Sequence, residues 1–235
     1  MSSFLFEPTL SVVPIVDSKT LFPIHRIYCV ARNYEKHIQE MGYELNREPP
    51  FFFNKHPDSV LTHNADFPYP CGSNNVHHEI EMVVALKSGG QNIEPHDALS
   101  HVFGYAVGLD MTRRDLQNYA KEHQQAWAAA KAFDHATPIS HLMPADTIGH
   151  PSQGAITLTV NGQLRQQGDL SEMIWSVPEI IAYLSNLFEL KQGDLIFTGT
   201  PSGVGAVKHN DILIGQIDQV GELKTRVNHS SERAS

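Results

Sequence analysis

The chain has 235 residues, 41% hydrophobic and 18% charged, which suits one generous globular domain and excludes a disordered chain. A formal net charge of -9, with Arg113-Arg114 as the sole adjacent Lys/Arg pair, argues against a nucleic-acid partner. Two isolated cysteines (Cys29 and Cys71), no basic-then-apolar leader and no membrane-length apolar run exclude a disulfide scaffold and point to a cytoplasmic protein with no membrane partner.

Residues 1–23 carry short apolar pieces broken by Pro8, Pro14 and Pro23, and read as a lead-in with an edge strand. A strand is expected over Ile27–Val30, then a helix from about Tyr34 to Met41 ended by Gly42, then a polar, proline-bounded loop from Glu44 to Pro50. Phe51-Phe52-Phe53 reads as a short buried strand, and residues 54–75 as turns. Strands follow over Glu79–Leu86 and Val102–Leu109, and one Ala-rich helix over Asp115–Lys131. Ile156–Val160, Asn161-Gly162 and Gln163–Gln167 form a hairpin signal. An amphipathic helix is expected over Val177–Phe188, with Pro178 in its first turn. Late strands cover Asp194–Thr198, Ile212–Ile217 and Gly221–Val227. The count favours a strand-rich α+β fold with a few peripheral helices.

His37 and Glu40 lie three apart on a helix and would share a face, where a carboxylate makes the imidazole a better general base. An exposed pair on a short helix is the plainer alternative. In His77-His78-Glu79-Ile80-Glu81, strand periodicity sets Glu79 and Glu81 side by side. Two carboxylates that close must raise a pKa or bind a cation, unless they stand on a solvated edge. Asp110 closes an apolar strand and adds a third carboxylate, or else caps the following helix. Three carboxylates suit a hard cation, Mg²⁺ or Mn²⁺. His77 and His78 would orient the carboxylates or serve as loop histidines. Lys131 ends the Ala-rich helix and is either functional or solvated. Thr198 to Gly205 is a Gly-rich turn without a Walker ending; it is a carboxylate cradle or simply a tight turn.

Taken in order, Arg32-Asn33-Tyr34 with His37 and Glu40, His78-Glu79-Ile80-Glu81, Leu109 to Gln117, Lys131-Ala132-Phe133-Asp134 and Thr198 to Gly205 resemble the fumarylacetoacetate hydrolase superfamily. The resemblance spans about residues 24–228, leaving 229–235 as a tail. It implies a mixed, strand-rich β-roll that is usually a homodimer. The length is similar to the acylpyruvate hydrolase branch, which includes fumarylpyruvate hydrolases of gentisate breakdown. The resemblance implies Glu79, Glu81 and Asp110 as ligands of Mg²⁺ or Mn²⁺, and His37 with Glu40 as a water-activating dyad on a lid. It implies Lys131 and Gln117 near the dioxo group of a small-molecule substrate, with Arg32, Arg113 or Arg114, and Thr200 in contact with it. Ala31 stands where the family often has Gly, and Gln125-Ala126-Trp127 replaces a Leu-Pro-Trp-like stretch. The expected activity is hydrolysis of a carbon–carbon bond in a 2,4-dioxo acid, fumarylpyruvate foremost. The alternatives are an oxaloacetate decarboxylase or keto–enol tautomerase on the same site, and a non-enzymatic binder of metal or dioxo acid.

Overall fold

The computed structural model describes residues 4–42 and 48–229. Its centre is a six-stranded mixed sheet, in the order Met143–Pro144, Val102–Leu109, Ile80–Leu86, Leu195–Phe197, Ile27–Ala31 and Phe51–Lys55. Neighbours run antiparallel except Leu195–Phe197 and Ile27–Ala31, which are parallel. A five-stranded sheet covers one face, in the order Gln163–Asp169, Ala155–Val160, Ile212–Ile217, Gly221–Asn228 and Phe67–Pro68. The hairpin between its first two strands turns on Asn161 (φ 53°) and Gly162 (φ 76°), the paired positive angles of the tight turn that Asn-Gly favours.

Strand Ile80–Leu86 is buried on both faces, and its alternation sorts the two cores. Ile80, Met82, Val84 and Leu86 join Leu158, Leu213 and Leu223 between the sheets. Val83 and Ala85 join Cys29, Ala106 and Phe197 on the other side, beneath Val13 and Phe22 of an N-terminal hairpin. Each such side chain contributes on the order of 1.5–3 kcal/mol of transfer free energy. Glu81 is in phase with Val83 and Ala85, and Asp110 with Ala106 and Gly108, so both acids belong to this second face. Gly108 lies directly opposite Glu81, where a Cβ would stand 2.5 Å from Phe197 Cε1.

Three expectations need correction. The single helix over Asp115–Lys131 is two, α2 (Arg114–Glu122) and α3 (Ala128–Lys131). Gln124 (φ 53°) takes the left-handed cap; its N–H reaches Lys121 O at 3.3 Å, and Gln125 N–H reaches Ala120 O at 2.8 Å. That is a Schellman closure made without the usual glycine, so no stop residue marks it. The Phe51–Phe53 run is not buried but forms a sheet edge, with Phe51 48% exposed, and the buried member of this strand is Lys55. The chain also breaks at Glu79, between Val76–His78 of a three-stranded sheet and Ile80–Leu86 of the central one.

The two other expected helices stand near their places, and a short one, Ala145–Ile148, stands where none was expected. The first, α1, runs from Glu35 to Glu40, and the long one from Val177 to Leu187 behind a Ser176/Glu179 capping box. Of the polar loop expected from Glu44 to Pro50, residues 44–47 lie outside the described residues; so do 230–235 of the tail. No helix among the described residues is long and apolar enough to cross a membrane.

Candidate metal centre and active site

Glu79, Glu81 and Asp110 converge, with one carboxylate oxygen from each lying within 4.8 Å of the others, and all three residues are buried. The break at Glu79 helps: its carbonyl accepts the Asp110 N–H at 2.8 Å and locks the two strand ends together. Neither of the plainer readings holds. The pair is not on a solvated edge, and Asp110 does not cap α2, which begins after Arg113.

Cations surround the cluster. Lys131 Nζ donates to Glu79 Oε2 at 2.7 Å, Asp110 Oδ2 at 2.6 Å and Thr112 Oγ1 at 2.6 Å. Arg114 pairs with Glu79 and donates to Gln117. Lys55, fully buried, sits 2.9 Å from Asp110 Oδ1 and donates to the carbonyls of Lys131 at 2.6 Å, Ala136 at 3.0 Å and Met111 at 3.3 Å. Asp110 Oδ1 receives that charge contact but no aligned hydrogen bond.

The environment splits the carboxyls. Burial alone would push Glu79 up, but the charges of Lys131 and Arg114 overcome it and hold Glu79 well below the usual range. Glu81 is pushed well above the usual range by burial and then by the like charges of Asp110 and Glu79; the Gly199 N–H at 2.7 Å offsets this only in part. Burial would lower Lys131, yet Asp110 and Glu79 raise it, so the amine stays charged.

His37 Nδ1 lies 3.1 Å from Glu40 Oε2, and Glu40 also accepts the Gly203 N–H at 3.0 and 3.1 Å. The dyad is therefore tied to the Gly-rich turn, not loose on a helix. Gly203 has φ 98°, and a Cβ there would meet Arg165 O at 2.0 Å, so the backbone donor exists only because no side chain is present.

His37, Arg32, Glu79, Glu81, Asp110, Arg114, Gln117, Lys131 and Thr200 line one cavity of about 40 Å³. Small-ligand pockets usually enclose about 300–1,000 Å³, so a substrate needs these side chains to rearrange. A larger cavity of about 490 Å³ lies against Tyr34, Ile38 and Glu172, but it lacks the acidic cluster. Arg113 stands apart from the site, with its guanidinium 4.4 Å from the Phe133 ring centroid and its Nη1 on Ala129 O at 3.3 Å. The histidines expected to orient carboxylates have other partners: His77 bonds Asn75 at 2.9 Å and His78 bonds Gln166 at 2.9 Å. Burial, then the Arg114 charge, brings His77 down to about 4.

Lys55 and Gln166 emerge only from the structure as contributors, and Asn33, named within a motif, gains its role there. Gln166 receives Ile80 N–H at 3.1 Å and donates to Thr200 Oγ1 at 2.8 Å, bridging the carboxylate strand and the Gly-rich turn. Asn33 donates to Thr198 O at 2.8 Å and Trp175 O at 3.0 Å. A lysine ending an apolar strand was the one available signal for Lys55; Gln166, one of several polar residues in its strand, had none.

Comparison with known proteins adds identity to this geometry. Residues 26–228 match the profile described as "Fumarylacetoacetate (FAA) hydrolase C-terminal". The chain is 41% identical over 204 residues to the mitochondrial oxaloacetate tautomerase of Rattus norvegicus, covering 87% of this chain and 92% of that one. It is 40% identical over 189 residues to the fumarylpyruvate hydrolase of Ralstonia sp, covering 80% and 98%. The crystal structure of fumarylpyruvate hydrolase from Pseudomonas aeruginosa in complex with Mn²⁺ and pyruvate superposes with a TM-score of 0.94 at 48% identity, covering 97% of this chain and all of that one.

Proposed function

Because the chain belongs to the fumarylacetoacetate hydrolase family, we propose that it is a divalent-metal-dependent enzyme hydrolysing a carbon–carbon bond in a 2,4-dioxo acid, fumarylpyruvate foremost. The observation that carries this is the convergence of three buried carboxylates on one cavity that His37, paired with Glu40, also lines. The donor set fits a hard cation: all oxygen, one buried Asp110 oxygen lacking an aligned donor, and a Glu81 carboxyl disfavoured as an anion by its own neighbours. Glu79, Glu81 and Asp110 would hold Mg²⁺ or Mn²⁺, which polarises a bound 2-oxo acid and disperses negative charge developing on it.

The chain's own residues supply the rest. Glu40 accepts from His37 Nδ1 and leaves Nε2 to take a proton from water. The hydroxide adds to the acyl carbonyl, whose oxyanion Lys131 and Gln117 are near enough to stabilise from the same cavity. Collapse breaks the carbon–carbon bond, releasing the acyl group as a carboxylic acid and pyruvate as its enolate, which a proton completes. Arg32, Arg114 and Thr200 contact the substrate. A cytoplasmic homodimer acting in gentisate breakdown completes the proposal. The similarity to fumarylpyruvate hydrolases supports the pathway, and exposed Phe4, Leu5 and Phe6 support a second copy.

The second reading, oxaloacetate tautomerase or decarboxylase, is favoured by a relative of equal similarity bearing that name. It needs no attack by water. Activity of wild type and His37→Ala on fumarylpyruvate and oxaloacetate, followed by ultraviolet absorbance, separates the two. Hydrolysis should fall roughly 10²–10⁴-fold in the variant. Wild-type enzyme that enolises or decarboxylates oxaloacetate but leaves every acylpyruvate intact would refute the hydrolase.

The Glu81 environment gives a pH dependence with a definite sign. The folded, metal-free protein keeps the Glu81 proton to higher pH than the unfolded chain does, so its stability falls as pH rises through that interval. A cation must expel the same proton, so affinity rises with pH. Calorimetric Mn²⁺ titration at several pH values, in buffers of different ionisation heat, should show proton release on binding. Release of none would contradict the raised Glu81.

A further inference from the structure

Gln166 is the one buried residue of strand Gln163–Asp169. The strand bulges beside it: Leu158 faces Gln166 but Thr159 faces Leu164, so Arg165 is the extra residue. The Gly-rich turn presses on the same strand, and a Cβ at Gly168 would stand 2.8 Å from Pro201 Cβ. The Gln166 amide is engaged on every side. Its Oε1 accepts the Ile80 N–H at 3.1 Å and lies 2.9 Å from His78 Nδ1. Its Nε2 donates to Thr200 Oγ1 at 2.8 Å and to Pro201 O at 2.9 Å. A backbone N–H only donates and a backbone carbonyl only accepts, so Ile80 and Pro201 together fix which end of the amide is oxygen and which is nitrogen. Thr200 Oγ1 must then accept from Gln166.

We propose that Gln166 is a positioning residue that sets the polarity of the Thr200 hydroxyl, making it a donor towards the cavity that Thr200 lines. The assignment rests on the reading above, in which Thr200 meets the substrate. A threonine hydroxyl has one proton and can otherwise turn it in several directions. Gln166 spends one N–H on the hydroxyl's lone pair and the other on Pro201 O, the nearby carbonyl that would compete for the hydroxyl proton. The proton is left for an acceptor in the cavity, which is what the carboxylate or keto oxygen of a 2-oxo acid supplies. Because the same amide holds Ile80, between the two glutamates, the donor is also kept in register with the acidic cluster.

The test is calorimetric binding of pyruvate, with Mn²⁺ saturating, to wild type, Gln166→Met, Thr200→Val and the double variant. Each single substitution should weaken pyruvate about tenfold, and the double should be within threefold of Thr200→Val, because Gln166 acts through a hydroxyl already removed. Thr200→Ser keeps the hydroxyl, so it should keep both the affinity and the sensitivity to Gln166→Met. A residue that merely supports the fold would cost the same in either background, and that result overturns the proposal. So does an affinity within threefold of wild type in either single variant. If urea unfolding shows that Gln166→Met does not fold, Gln166→Glu takes its place: it keeps the acceptor for Ile80, offers at most one proton where two are needed, and should show the same non-additivity. Wild-type protein that binds no pyruvate with Mn²⁺ present would refute the keto-acid reading itself, and the role of Gln166 with it.

Discussion

Asp110→Asn is expected to lower turnover by roughly 10³-fold, about 4 kcal/mol of transition-state stabilisation, and to weaken Mn²⁺ binding in parallel. The substitution keeps shape and removes one charge, so the fold should persist while the site fails. Asp110 is central on geometry alone. It is fully buried, it faces Lys131 with one oxygen and Lys55 with the other, and its backbone N–H closes onto Glu79. Losing the charge removes a ligand and leaves two ammonium groups beside a neutral amide. Rates measured across a Mn²⁺ titration would show both losses. Unchanged affinity together with unchanged turnover would end the three-carboxylate account.

Lys55→Met should destabilise the protein by about 3–5 kcal/mol, the range for breaking a buried ion pair from one side. Lys55 joins Asp110 to the carbonyl ends of two other segments, at Lys131 and Ala136, so its removal strands one carboxylate and several acceptors together. Urea unfolding of the metal-free protein measures it. The double variant with Asp110→Asn should lose less than the sum of the singles, because the charge that Lys55 neutralises is already gone. A loss under about 1 kcal/mol would mean that the pocket relaxes or hydrates around the vacated position.

The sequence made the acidic site legible because its signal is local. Period-two alternation sets Glu79 beside Glu81, and an apolar run ending at Asp110 is visible without coordinates. The strand Val102–Leu109 and the Asn-Gly hairpin were readable for the same reason. What escaped was made by long-range contact. Lys55 acquires its place from carbonyls 56, 76 and 81 residues away, and Gln166 reaches across 86 residues to Ile80. The division of the Ala-rich helix was hidden because glutamine, not glycine, holds the left-handed cap. Which arginine of the 113–114 pair enters the cavity depends on where α2 begins, and helix ends are the least certain boundary to read.

That division of the helix separates two evolutionary freedoms. Residues 123–126 are an exposed turn between the two helices, and Trp127 at its end borders the cavity that holds the acidic cluster. Substitutions or small insertions there can reshape the rim without disturbing the oxygens that hold the ion. Drift of this kind would let one chemical engine acquire new clients by editing its doorway, as expected where relatives of similar identity to this chain are named for different keto acids.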